Sequence, residues 1–186
     1  MTATHFFLSL CCATLLAGGP EAPGKLLEKP TYFTGPAAVQ TFAEGDFFYV
    51  PAKTTLKDMP VRMLELVPQL YKGLMAVGLP GLGPVQVVYH TMDSDPTKVL
   101  DIEVGVMVAK GTQASAGCLV RHMAPFTCVT TVFTGSTSKI GKVYETLYPT
   151  LLAAGKTPTA ESRQMVLFWE GDTSSNNMLL VQIGVR

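Results

Sequence analysis

The sequence predicts an α+β fold built from two copies of one βαββ unit, with pseudo-two-fold symmetry, antiparallel sheets and two helices around a central cleft. A repeated ten-residue phrase supports the duplication, because residues 69–78 and 146–155 share Leu, Tyr, Leu, Ala and Gly in one constant register. The ends of the two halves match as well. Three residues recur there: Leu100, Gly105 and Val106 in the first half, and Leu179, Gly184 and Val185 in the second.

The first half has the strand and helix patterns of one such unit. Its predicted strands are residues 39–42, 47–50, 86–91 and 98–108. The predicted helix follows Asp58, a suitable capping residue, and ends at Gly78. Apolar residues at helical spacing predict one buried stripe: Met63, Leu66, Val67, Leu70, Tyr71 and Leu74. Pro68 predicts a kink or a late helix start, because an interior proline costs about 3 kcal/mol.

The second half repeats this order. Its predicted strands are residues 118–121, 126–133, 164–170 and 178–185. A helix that ends at Gly155 carries the corresponding apolar stripe: Ile140, Val143, Tyr144, Leu147, Tyr148 and Leu151. The strands and helices of residues 38–186 therefore form one domain with repeat halves of about 38–110 and 115–186.

The composition restricts the possible partners. The 14 basic and 14 acidic residues balance, and no Lys/Arg cluster is present, so no nucleic-acid partner is predicted. No apolar stretch reaches the roughly 20 residues that a transmembrane helix needs, so no stable membrane insertion is predicted.

The N-terminus has the pattern of an export signal. Residues 6–17 are apolar and are followed by Gly18 and Gly19, as in the central region of a secretory signal peptide. We therefore predict a signal peptide at residues 1–19 and a secreted or periplasmic protein. The alternative is a cytoplasmic protein with an apolar N-terminal segment. Residues 20–37 are rich in Pro and Gly and are predicted to be a linker.

The cysteines leave two alternatives open. Cys118 and Cys128 permit one disulfide in an exported protein, or they are two buried thiols. Cys11 and Cys12 lack the preceding small residue of a lipidation site. No metal is predicted, because two cysteines and three scattered histidines show no ligand spacing.

Strand alternation identifies the candidate site. In the 164–170 strand, Gln164, Phe168 and Glu170 share a face, and in the 86–91 strand His90 faces away from Tyr89. The two helices are expected to cover one sheet face and to leave the other for a ligand. His90 is able to act as an acid, a base or a ligand, although a lone histidine is more often structural. Phosphate-loop, nucleophile-elbow and HExxH motifs are absent.

The second half resembles the GyrI-like effector-binding domains, which share a superfamily with the SOUL haem-binding proteins. Five segments carry the resemblance: Met123–Gly135, Val143–Tyr148, Gly155, Arg163–Leu167 and Val181–Val185. It extends over residues 38–186 and implies a small-molecule cleft between two βαββ units. Family members sense drugs as parts of transcription regulators, occur as single domains, or hydrolyse reactive cyclopropane-type compounds.

The resemblance also identifies a departure from the family. Many members carry a functional glutamate early in the strand after the second helix, and the matching residue here is Gln164. A neutral amide neither attracts a cation nor acts as a general base. Glu170 lies on the same face at the far end of the strand and is a weak catalytic candidate in its place. Hydrolytic members pair a tryptophan with a glutamate, but Trp169 and Glu170 would point to opposite faces of a regular strand.

These observations predict that the chain binds a small apolar or aromatic molecule in the central cleft, without a cofactor. The candidate ligand-binding residues are Tyr49, Met63, Tyr89, His90, Ile140, Gln164, Phe168, Trp169 and Glu170. One alternative is a hydrolase that uses Glu170 with Trp169 or His90. Another is a SOUL-like protein that binds haem through His90 or His122, and a third is a purely structural or partner-binding role.

Overall fold

The computed structural model describes residues 32–79, 83–91, 93, 95–115 and 117–186. The predicted signal peptide and the linker up to residue 31 lie outside the described residues. The strands are β1 (Tyr32–Thr34), β2 (Ala38–Phe42), β3 (Gly45–Thr54), β4 (Gln86–Tyr89), β5 (Leu100–Val108), β6 (Leu119–Met123), β7 (Phe126–Gly135), β8 (Pro158–Phe168) and β9 (Met178–Val185). The helices are α1 (Met59–Ala76) and α2 (Gly141–Ala153), and a 3₁₀ turn (Thr137–Lys139) precedes α2.

The predicted α+β architecture is confirmed. The units β3–α1–β4–β5 and β7–α2–β8–β9 repeat one order of elements. All nine described strands form one antiparallel sheet, in the order β1-β7-β9-β8-β4-β5-β3-β6, with β2 also paired to β7. The two units thus share a single sheet and are joined where β4 pairs with β8.

The β4–β8 pair lies at the centre of the duplication. Gln86 pairs with Met165, and Val88 pairs with Arg163. The pairing is therefore symmetrical about the pair of Val87 and Gln164. Because Gln164 occupies the second-half position that corresponds to Val87, the pseudo-two-fold axis passes beside these two residues.

A long antiparallel ribbon closes the sheet. Phe42 pairs with Phe126, and Gly45 pairs with Met123, so β2–β3 and β6–β7 keep one register across two-residue breaks at 43–44 and 124–125. Since β6 and β7 lie towards opposite ends of the strand order, this ribbon brings those ends together. The sheet consequently curls around the face that the helices do not cover.

The two helices pack on one face of the sheet, called the helix face below. Each buries one leucine-rich side: Leu66, Leu70 and Leu74 in α1, and Val143, Leu147 and Leu151 in α2. They pack on the strand residues of the two larger core clusters, among them Phe48, Ile102 and Val104 for α1, and Val129, Val181 and Ile183 for α2. Among the described residues, no helix is long and apolar enough to cross a membrane.

The opposite face, called the inner face, is also buried although no helix covers it. Its residues include Phe47, Val88, Glu103, Arg163 and Gln182, all of which are at most 8% exposed. Curling of the sheet accounts for this burial, because side chains from strands far apart in the order meet inside the curve. The inner face is thus a second interior that contains charged groups.

Several sequence predictions need correction at the level of single elements. Residues 32–34 of the predicted linker form β1, because they complete the edge of β7 by pairing with residues 133–135. The late start of α1 is wrong, since the helix begins at Met59 and continues through Pro68. Pro68 is exposed, and the buried leucines before and after it hold the helix together.

Two tyrosines of the predicted apolar stripes are on the outer side of their helices. Tyr71 is 37% exposed and Tyr148 is 40% exposed. One residue of helix turns the side chain by about 100°, so each tyrosine points away when the preceding leucine is centred on the sheet. The repeated Leu-Tyr phrase therefore contributes its leucines to the core.

The structure also decides between the cysteine alternatives. Cys118 and Cys128 are free and buried. Cys118 packs in the core beneath α1, whereas Cys128 shares a sheet row with Gly184 on the inner face. The thiols therefore belong to opposite faces of the sheet, which explains why they do not form a disulfide.

Candidate functional site

A chain of hydrogen bonds crosses between the two halves at the pseudo-two-fold axis. The Tyr89 hydroxyl of β4 donates to Oε1 of Gln164 on β8, with an O···O distance of 3.1 Å. Nε2 of Gln164 donates to the Tyr144 hydroxyl of α2, also at 3.1 Å. The first half thus contributes one member and the second half two members to one polar cluster on the helix face.

This polar cluster is uncharged. Burial raises the pKa of Tyr89 well above the usual value for a phenol and also raises the pKa of Tyr144. Both hydroxyls therefore stay protonated at neutral pH. A bond to Ser162 and one to Gln164 oppose the shift at Tyr144 without cancelling it. The cluster provides hydrogen-bond donors and acceptors and aromatic surface, without the charge of a carboxylate.

Each member of the cluster replaces a valine of the other half. In the constant register of the repeat, Gln164 corresponds to Val87, Tyr89 to Val166 and Tyr144 to Val67. A packing unit needs only the valines, as the other half shows. The polar residues therefore distinguish each half from the other at the place where the halves meet.

Two other predicted site residues also lie on the helix side. Met63 of α1 is half-buried against the core of the first half. Ile140, just before α2, is half-buried against the core of the second half, next to Tyr144 in the same cluster of side chains. With Tyr89 and Gln164, four of the nine predicted residues share this side of the sheet.

Tyr49 and His90 lie on the inner face, away from Gln164. The ring of Tyr49 stacks on Phe47 with centroids 5.6 Å apart. Nε2 of His90 is 3.2 Å from a carboxylate oxygen of Glu103, and Arg121 donates to both oxygens of that carboxylate. His90 therefore does not lie with Gln164 among the ligand-facing residues. Successive residues at the end of β4 point to opposite faces, so Tyr89 and His90 are on different sides of the sheet.

Phe168, Trp169 and Glu170 lie at the end of β8 and beyond it. The strand ends at Phe168, so the predicted alternation does not extend to Glu170. The Glu170 carboxylate accepts bonds from the hydroxyl of Ser174 and from Nδ2 of Asn176. These bonds lower the pKa of Glu170 and hold the turn that leads to β9. Phe168 is 50% exposed and Trp169 is 46% exposed.

Sequence reasoning missed Tyr144 as a site residue and missed the Glu103–Arg121 ion pair. Tyr144 was assigned to the apolar stripe of its helix, although its pairing with Val67 in the repeat was visible as a difference between the halves. The ion pair had no local signal, because Arg121 lies in β6 and reaches Glu103 across β3. Within the described part of the chain, no group of three or more His, Cys, Asp or Glu side chains has the arrangement of a metal site.

Buried acids of the fold predict a loss of stability in alkali. Burial raises the pKa of the Cys128 thiol to about 12, whereas the unfolded thiol ionises near its ordinary value of 9.0. The unfolded state therefore loses this proton first, and the free energy of unfolding should fall as pH rises from about 9 to about 12, by up to about 1.4 kcal/mol per pH unit. Urea denaturation of the wild type and Cys128→Ala between pH 8 and pH 10 checks this, and equal slopes in the two proteins would contradict it.

Solved structures share this fold at low sequence identity. The C-terminal domain of EcmrR has a TM-score of 0.65 and 19% identity, covering 81% of this chain and 97% of that domain. EcmrR in its complex with DNA and RPo has a TM-score of 0.66 and 17% identity. The match covers 84% of this chain but only 58% of the longer EcmrR chain. SAV2435 bound to tetraphenylphosphonium has a TM-score of 0.54 and 11% identity, and the match covers 82% of this chain and 94% of SAV2435.

These similarities establish the class of fold. The described domain shares the fold of the EcmrR C-terminal domain and of SAV2435, which agrees with the resemblance to GyrI-like domains seen in the sequence. No protein-family model and no curated protein matches the chain.

Proposed function

We propose that the chain binds a neutral apolar or aromatic small molecule in the cleft between α1 and α2, against the cluster of Tyr89, Gln164 and Tyr144. The observation that carries the proposal is the hydrogen-bonded bridge between the halves at the pseudo-two-fold axis. The three polar residues lie where the two halves meet, and each stands where the other half has a valine.

The chemistry of Gln164 favours a neutral ligand with a hydrogen-bonding group. A glutamine amide has two N–H donors and an oxygen with two lone pairs. The bonds to Tyr89 and Tyr144 engage one donor and one lone pair. The remaining donor and lone pair are able to serve a carbonyl, an ether or a hydroxyl of a ligand, while the tyrosine rings provide apolar contact surface.

The similarity to SAV2435 supports a small-molecule role for this fold, since that protein is bound to tetraphenylphosphonium. In this chain the cluster of Tyr89, Gln164 and Tyr144 carries no charge. Glu103 of β5, which pairs with Val88 of β4, points to the inner face and forms an ion pair with Arg121. A cation in the cleft would therefore meet an amide and two protonated phenols, which is why the proposed ligand is neutral.

A matched pair of probes tests this proposal. Triphenylphosphine oxide is neutral and carries an oxygen that can accept from Nε2 of Gln164, whereas tetraphenylphosphonium carries a positive charge. We expect the oxide to raise the thermal midpoint of the full chain, because a ligand that binds only the native state stabilises it by mass action. Gln164→Leu should weaken that binding about tenfold, which corresponds to the loss of one hydrogen bond worth about 1.4 kcal/mol. Gln164→Glu should shift the preference towards the cation.

The control substitutes an exposed glutamine in the same way. Gln113→Leu changes a surface loop and should leave the binding of triphenylphosphine oxide unchanged. Equal binding by Gln164→Leu and the wild type, or a wild type that neither probe stabilises, would refute the proposed site.

The geometry favours neither rival function. A hydrolase centred on Glu170 would need that carboxylate in the cleft, but it accepts bonds within an exposed turn. A haem ligand would need a histidine facing an apolar slot. Instead His90 contacts Glu103, and Nδ1 of His122 lies 3.1 Å from Asp46.

A further inference from the structure

The outer side of α1 carries an apolar surface that the core does not use. This surface, called the α1 stripe, consists of Val61, Leu64, Pro68, Tyr71 and Met75. Val61 and Met75 are each 66% exposed, and Leu64 is 77% exposed. Steps of three, four, three and four residues separate the five positions, which is the spacing of a seam that one helix presents to another. No charged residue interrupts the stripe.

Charged residues accompany the α1 stripe along one flank only. Glu65 and Lys72 lie two turns apart, each one position after an apolar residue of the stripe, so they share the same side of the helix. The opposite flank carries Val67, which is half-buried against the body of the domain. Arg62, three residues before Glu65 on the same flank, forms an ion pair with it. The stripe is thus bounded on that flank by Arg62, Glu65 and Lys72.

We propose that the α1 stripe is a self-association surface, on which two copies of the chain pack their α1 helices antiparallel about a two-fold axis. In this arrangement Leu64 lies opposite the partner subunit's Met75, and Pro68 lies opposite the partner subunit's Tyr71. The axis repeats both contacts, as an isologous interface requires.

The charges decide the direction of packing. In the antiparallel arrangement, Glu65 lies beside the partner subunit's Lys72, and the symmetry axis produces this pair twice. In a parallel arrangement the flanks that carry Glu65 and Lys72 would lie on opposite sides of the interface, each facing the partner's Val67 flank, so neither charge would meet an opposite one. Because only the antiparallel arrangement brings these opposite charges together, they favour it and fix its register.

The corresponding surface of α2 does not have this pattern. Glu145 occupies the position that corresponds to Pro68, and it is paired with Lys142 on the helix surface. Gly141 stands where α1 has Leu64. The second helix retains Tyr148 and Leu152 but no continuous apolar seam, so the self-association surface is confined to α1. Since one helix from each copy contributes, the dimer should be concentration-dependent rather than permanent.

Sedimentation velocity of the full chain tests the proposal. From about 1 µM to about 300 µM, a range that spans the affinity expected of a small interface, the mean mass should rise from that of the 19.9 kDa chain towards twice that value. Leu64→Glu should remain monomeric throughout, and circular dichroism should show an unchanged fold because Leu64 is exposed. Leu152→Glu, a matched substitution at a 71% exposed leucine of α2, should dimerise as the wild type does.

Charge reversal supplies the decisive comparison. Glu65→Lys alone and Lys72→Glu alone should each weaken the dimer at least fivefold, whereas the double variant should recover the affinity of the wild type because the pairs re-form with reversed sign. A wild type that stays monomeric at the highest concentration would overturn the proposal. So would dissociation by Leu152→Glu, which would locate the interface on α2, or failure of the double variant to recover.

Discussion

Gly105→Ala is expected to be the most damaging single-methyl substitution in the inner face, lowering the free energy of unfolding by about 3 kcal/mol. A Cβ atom at Gly105 would overlap the carbonyl oxygen of Phe48 and would lie 2.7 Å from Cζ of Phe47 and from Cβ of Tyr49. The carbonyl and the Cβ belong to the rigid part of β3, so they move only if the β3–β5 pairing shifts. Urea denaturation at neutral pH measures the effect.

Two other glycines provide the comparison. Gly184 corresponds to Gly105 in the second half, where an added Cβ would meet the side chain of Thr159 and lie 2.9 Å from the carbonyl oxygen of Glu161 and from Cε2 of Phe126. The Thr159 side chain is able to rotate, and the backbone carbonyl is approached less closely than at Gly105, so Gly184→Ala should cost less, about 1–2 kcal/mol. Gly141 at the start of α2 has open space, and Gly141→Ala should stabilise slightly. If Gly105→Ala proves as stable as Gly141→Ala, the close packing described for the inner face is wrong.

Arg121→Ala should lower the free energy of unfolding by about 3 kcal/mol or more, because it leaves the Glu103 carboxylate buried without its main partner. The side chain of Glu103 is 10% exposed, and Arg121 donates to it through Nε and Nη2 at 3.0 and 2.7 Å. The guanidinium also lies 5.9 Å from the ring centroids of Phe47 and Tyr49. Its removal thus costs an ion pair and the packing between two strands.

The exposed pair of Lys53 on β3 and Asp101 on β5 is the control. Their side chains are 74% and 58% exposed, so Lys53→Ala should change stability by no more than about 0.5 kcal/mol. The double variant Arg121→Met with Glu103→Leu should recover most of the loss, since an apolar pair avoids the uncompensated charge. Equal costs for Arg121→Ala and Lys53→Ala would show that the inner face is far wetter than the burial of Glu103 indicates.

The inner-face ion pair and the helix-face cluster separate charge from the proposed ligand site. Glu103, Arg121 and His90 lie together on one face, while Gln164 and its two tyrosines lie on the other. The sheet between them is a single layer whose strands alternate in direction. The effects of substitutions in the two clusters should therefore be separable. Arg121→Ala should lower stability, and Gln164→Leu should weaken ligand binding.

Local sequence patterns were sufficient to predict the helices, most of the strands and one site residue. The apolar spacing around Leu70 and Leu147 predicted both helices, because burial on a sheet requires one apolar side at a period of 3.6 residues. Comparison with the family pattern identified Gln164. The strand that carries it was predicted to begin at 164, whereas β8 begins at Pro158, because strand alternation is weak in the exposed stretch before Ser162.

The sequence by itself determined the duplication, the order of strands and helices, and the neutral amide at position 164, since these depend on residue types and on spacing within one segment. Only the tertiary structure decided that Tyr89 and Tyr144 meet at Gln164 and that Glu103 is buried with Arg121. Both contacts join strands or helices that are distant in the chain, and their pairing is set by the register of the β4–β8 junction and by the ribbon that closes the sheet. A local pattern states that a side chain leaves one face of a strand, but the curl of the whole sheet determines what that face encloses.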